Sequence, residues 1–106
     1  MARVLIFDNE QDVRLSTKDE LMDFEVTETG DIAAARAALT DGVDCVILDA
    51  SDAEGLELLA EVGDVPCIAL ANAVTPEVET SAQAASLVVP KSDLWQILDK
   101  VNEVLK

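Results

Sequence analysis

Four short apolar runs rich in β-branched residues constrain this chain more than any other feature: Val4-Leu5-Ile6-Phe7, Val43 to Leu48 around a lone Asp44, Val65 to Leu70, and Leu87-Val88-Val89. Runs that are continuous rather than alternating suit strands covered on both faces, as in a parallel sheet. A fifth segment, Phe24-Glu25-Val26-Thr27, alternates and reads as an edge strand of the same sheet. Helical patterns fill the intervals. Gln11 to Asp23 carries Val13, Leu21 and Met22 on a polar background, Ile32 to Leu39 is alanine-rich, and Ala53 to Val62 places Leu56, Leu58 and Leu59. Thr75 as N-cap and Pro76 at the first helical position open a fourth helix reaching Ala85. A fifth has Ser92 or Asp93 as cap, then Leu94, Ile97, Leu98, Val101, Val104 and Leu105 at helical spacing.

A strand followed by a helix, repeated in this way with short connections, requires right-handed crossovers and a parallel sheet with helices on both faces. The expected fold is α/β, an open doubly wound five-stranded sheet formed by residues 1–106 as one domain. The 106 residues are too few for a closed eight-stranded barrel, and the 50% apolar content excludes a disordered tail.

No stretch approaches the roughly 20 apolar residues of a membrane span, and Met1-Ala2-Arg3 leads into the first run without a signal-peptide pattern, so a cytoplasmic protein is expected. Cys45 and Cys67 lie inside apolar runs and read as buried reduced thiols; each stands four residues before a strand end, which predicts them side by side on one face of adjacent strands. With no histidine and 2 cysteines, a metal site would use hard oxygen donors, which points to Mg²⁺. The net charge of -15, from 22 Asp and Glu against 7 Lys and Arg, repels nucleic acid and anionic lipid alike. The acidic excess also suits a high-salt cytoplasm, and equally an ordinary acidic domain.

In an open parallel sheet the functional groups gather beyond the carboxyl ends of the strands, where the strand order reverses. The polar residues at those ends are Asp8-Asn9-Glu10, Asp49-Ala50-Ser51-Asp52, Ala71-Asn72 and Pro90-Lys91-Ser92. If the first and third strands are neighbours, Asp8, Glu10 and Asp49 form an acidic cluster with Lys91 beside it. Carboxylates held this close raise one another's pKa unless a cation neutralises them. Asp8 reads equally as the N-cap of the first helix, and Lys91 as a surface lysine. No glycine-rich phosphate loop follows the first strand, which argues against a flavodoxin-like cofactor binder.

These blocks, Val4 to Glu10, Val46-Ile47-Leu48-Asp49, Val65 to Leu70 and Val89-Pro90-Lys91-Ser92, resemble the receiver domains of two-component response regulators, in the right order along the whole chain. The resemblance implies the flavodoxin-like strand order 2-1-3-4-5. It implies that Asp49 accepts a phosphoryl group and that Lys91 binds the phosphoryl oxygens. It further implies Mg²⁺ held by Asp8, Asn9, Asp49 and the backbone carbonyl of Ser51. The implied partners are a sensor histidine kinase or phosphotransfer protein and a downstream output protein or domain. Activity would extend at most to self-phosphorylation and autodephosphorylation.

Departures from the family pattern accompany the resemblance. Asn9 replaces a second acidic residue, Ala71 replaces a Thr or Ser, and the segment Asp49 to Gly55 is short and lacks a proline. The stretch from Ala71 to Lys91 is also short, and Val88 stands near the place of an aromatic switch residue. These favour an alternative, a phosphorylation-independent pseudo-receiver serving as a protein-protein interaction or dimerisation module. Trp95, off the apolar stripe of the fifth helix, is either a partner or homodimer contact or a packing residue.

Overall fold

Aliphatic β-branched side chains fit a pleated surface with little loss of rotamer freedom, and the apolar runs accordingly become strands. The computed structural model describes residues 1–106. Its strands are β1 (Arg3–Phe7), β2 (Glu25–Thr29), β3 (Cys45–Asp49), β4 (Cys67–Ala71) and β5 (Leu87–Pro90). Helices α1 (Gln11–Glu20), α2 (Ile32–Asp41), α3 (Ala53–Leu59), α4 (Pro76–Ser81) and α5 (Ile97–Val104) follow them in turn, with a 3₁₀ segment, Lys91–Gln96, leading into α5. All strand pairs are parallel, as the continuous apolar runs predict, and the order is β2-β1-β3-β4-β5, as the resemblance implies.

Side chains alternate across the sheet and build two cores. On one face Leu5, Phe7, Val46, Leu48, Cys67 and Ala69 pack with Ala35, Leu58, Leu59 and Ala82 of the α2, α3 and α4 layer. On the other, Val4, Ile6, Cys45, Ile47, Ile68, Leu70 and Val89 pack with Leu21, Ile97 and Val101 of the α1 and α5 layer. Each fully buried aliphatic side chain contributes about 1.5–3 kcal/mol relative to exposure, so the central strands β1, β3 and β4 hold most of the stability.

The cysteines depart from the sequence expectation. Cys67 is level with Val46, not Cys45, because the ends of β3 and β4 are staggered by one residue. Cys45 therefore faces the α1 and α5 layer while Cys67 faces the opposite one. Both thiols are free and buried, and burial pushes each up to about 12, with a smaller push from Asp44 on Cys45 and from Cys45 on Cys67.

All the helices but α2, which runs on past Leu39 to Asp41, are shorter than their apolar patterns. Leu21 closes α1, Ala60 closes α3 and Ala82 closes α4, and the apolar residues beyond each end pack as turns. Thr75 caps α4 as expected, its Oγ1 accepting from the Val78 N–H at 3.2 Å. Neither Ser92 nor Asp93 caps α5. Asp93 sits off helical geometry inside the 3₁₀ segment, and Gln96 precedes α5 without a side-chain cap. No helix is long and apolar enough to cross a membrane.

Candidate functional site

The two-residue period of the strands sets the site. Asp8 follows Ile6, Asp49 follows Ile47 and Lys91 follows Val89, and all three apolar residues face the α1 and α5 layer. Phe7 pairs with Leu48, which brings Asp8 and Asp49 to the same level at the carboxyl end of the sheet. Asp8 is fully buried and Asp49 nearly so.

Each aspartate is fixed locally by a backbone donor two residues on. The Glu10 N–H donates to Asp8 Oδ1 at 2.8 Å, and the Ser51 N–H donates to Asp49 Oδ1 at 2.9 Å. Asp8 is thus not the N-cap of α1, a position that Glu10 occupies. The Lys91 ammonium lies 3.2 Å from Asp8 Oδ2, 3.4 Å from Asp49 Oδ2 and 3.0 Å from Glu10 Oε1, and it donates a hydrogen bond to Glu10. Its side chain is only 11% exposed, so this is not a free surface lysine.

Electrostatics follow from that crowding. Burial raises the Asp8 pKa above the ordinary 3.8, opposed by the Glu10 N–H, reinforced by the Asp49 charge and opposed again by Lys91. Burial alone would lower the Lys91 pKa, but its hydrogen bond to Glu10 and its close approach to the charges of Asp8 and Asp49 leave it raised. Carboxylate oxygens of Asp8, Glu10 and Asp49 lie within 4.8 Å of one another, three anions against one ammonium. Asp8 Oδ2 is buried and accepts no well-directed hydrogen bond, despite the nearby ammonium. A buried oxygen with no well-directed hydrogen bond, in a set of oxygen donors only, fits a hard divalent cation.

Comparison with solved structures is decisive for the fold. A response regulator from Thermotoga maritima superposes with a TM-score of 0.86 at 22% identity, covering 99% of this chain and 98% of its own. The chemotaxis protein CheY4 of Vibrio cholerae gives 0.87 at 24%, covering 99% of both chains. The CheY-like receiver domain protein of Methanospirillum hungatei gives 0.87 at 22%, covering 99% of this chain and 94% of its own. This is the receiver-domain fold. No family model matches the chain, and no curated protein matches it in sequence.

Around the acidic cluster, the remaining sequence candidates are placed differently. Ser51 directs its N–H to Asp49, and its Oγ accepts from the Asn72 N–H at 3.1 Å, tying the ends of β3 and β4 together. Asn9 is exposed and makes no side-chain hydrogen bond. Ala71 is fully buried at the end of β4, paired with Pro90.

Two supporting residues had escaped sequence reasoning. Arg14 on α1 donates from Nη1 to the Asp8 carbonyl at 2.7 Å and pairs with Glu28 of β2 at 3.3 Å, so it straps the β1–α1 loop to the edge strand. Gly55 on α3 lies against the Asp49 backbone: a Cβ there would overlap the Asp49 carbonyl oxygen and stand 2.8 Å from its carbon. A glycine within a helical pattern was the available signal for the second. Arg14 had none.

Proposed function

We propose that the chain is a cytoplasmic response-regulator receiver domain that accepts a phosphoryl group on Asp49, with Mg²⁺, from a sensor histidine kinase or phosphotransfer protein. The observation that carries this reading is the approach of Lys91 to both Asp8 and Asp49 at the carboxyl end of the sheet. An Asp49 carboxylate oxygen attacks phosphorus, the bond from phosphorus to the donor's imidazole nitrogen breaks, and the nitrogen keeps that electron pair. The Ser51 N–H holds the attacking carboxylate against rotation. Lys91 stays cationic and neutralises charge on the phosphoryl oxygens. Asp8, Asp49, Asn9 and the Ser51 carbonyl are the candidate ligands for Mg²⁺, which supplies further charge neutralisation when bound. The acyl phosphate then biases the surface read by a downstream output protein or domain. Trp95, 69% exposed, offers an apolar contact to such a partner or to a second copy.

Intact-mass measurement after treatment with a small phosphodonor and Mg²⁺ tests this: the wild type gains one phosphoryl group and Asp49→Asn gains none. An adduct persisting in Asp49→Asn would move the acceptor elsewhere. A second reading, a phosphate-independent interaction module, is favoured by Ala71, which has no hydroxyl with which to hold a phosphoryl oxygen. No adduct and no beryllofluoride binding in the wild type would select it.

A further inference from the structure

The Glu10 side chain is 57% exposed, yet its carboxylate turns to the buried cluster and accepts a hydrogen bond from Lys91 at 3.0 Å. Its neighbour Asn9 carries no charge and bonds to nothing. The buried Asp8 Oδ2, without a hydrogen bond, faces the same Lys91 ammonium.

We propose that Glu10 supplies the third metal-binding carboxylate of this site, and that in the cation-free protein the same carboxylate latches Lys91. On cation binding, Glu10 exchanges the ammonium for the divalent ion, and Lys91 keeps Asp8 and Asp49 while losing its most exposed partner. The β1–α1 loop thereby recovers the charge that Asn9 lacks, one residue further along. This rests on the divalent-cation part of the function proposed above.

Mg²⁺ titration by calorimetry on the full chain tests it, independently of phosphorylation. Glu10→Gln should weaken Mg²⁺ binding about tenfold, since affinity at such sites follows ligand charge, whereas Asn9→Ala, which removes a neutral ligand, should weaken it less. Lys91→Met should tighten binding, because it removes the competing ammonium from Glu10. Circular dichroism confirms that each variant is folded, and Glu10→Ala repeats the loss without the amide of glutamine. Equal affinity in Glu10→Gln and wild type, or a loss in Asn9→Ala as large as that expected for Glu10, would overturn the assignment while leaving the metal site in place. Unchanged or weaker binding in Lys91→Met would overturn the latch. A wild type that binds no Mg²⁺ would overturn both the metal site and this inference.

Discussion

Asp8 shows how a single buried side chain can cost the fold stability. Its folded-state pKa is raised chiefly by burial, so the native state binds a proton more tightly than the unfolded chain. Such a group weakens the fold as pH rises from the unfolded carboxylate pKa, about 3.9, through the higher folded value, and the penalty persists above it. Asp8→Asn should therefore stabilise the protein in chelator at neutral pH, and the gain should vanish in acid. Urea unfolding at a series of pH values measures this; a gain independent of pH would show that charge is not its source. Lys91 has the opposite sign: its raised pKa adds stability below the ordinary 10.5, lost as pH rises through the folded value. Gly55 is a second residue at which ordinary expectation inverts. Gly to Ala inside a helix normally gains up to about 1 kcal/mol, but Gly55→Ala should lose about 2 kcal/mol or more, because the new methyl meets the Asp49 carbonyl. A lower urea midpoint with an unchanged slope is the expected result. Asp8, Asp49 and Lys91 were legible in the sequence because each ends an apolar run. Gly55 and Arg14 act through backbone groups brought near by tertiary packing, which no local pattern encodes.

The strands were more legible than the helices, because a strand's apolar run is also its core contact, whereas a helix can stop while apolar residues continue into the core as a turn. Leu21 and Ala82 are such residues: both are fully buried just beyond α1 and α4. The stagger between β3 and β4 was invisible for a related reason, since strand ends say nothing of hydrogen-bond register. The α4 helix has only six residues and buries none of them, so its cap carries unusual weight. Thr75→Ala should cost about 1 kcal/mol of local stability, as for other N-caps. Amide hydrogen exchange provides the reading: faster exchange confined to α4 and its flanks is expected, and uniform acceleration across the sheet would mean that the helix does not open by itself.

At the scale of the whole molecule the net charge of -15 opposes compaction. Raising monovalent salt from about 0.1 to 1 M shortens the screening length from about 10 to 3 Å. Relief of self-repulsion worth about 1 kcal/mol corresponds to about 5 °C in a domain of this size. Thermal melts in sodium chloride should rise accordingly, and a fall would show that the few ion pairs outweigh the repulsion. The placement of the thiols has a kinetic consequence. With Cys45 and Cys67 on opposite faces of the sheet, the two layers carry separate chemical clocks, silent while closed. In single-cysteine variants, Cys45→Ala and Cys67→Ala, the rate of labelling by a thiol reagent times the parting of one helical layer from the sheet. The layer above Cys67 includes weakly anchored α4, so Cys67 should react first; equal rates would mean that the two halves of this protein come apart only together.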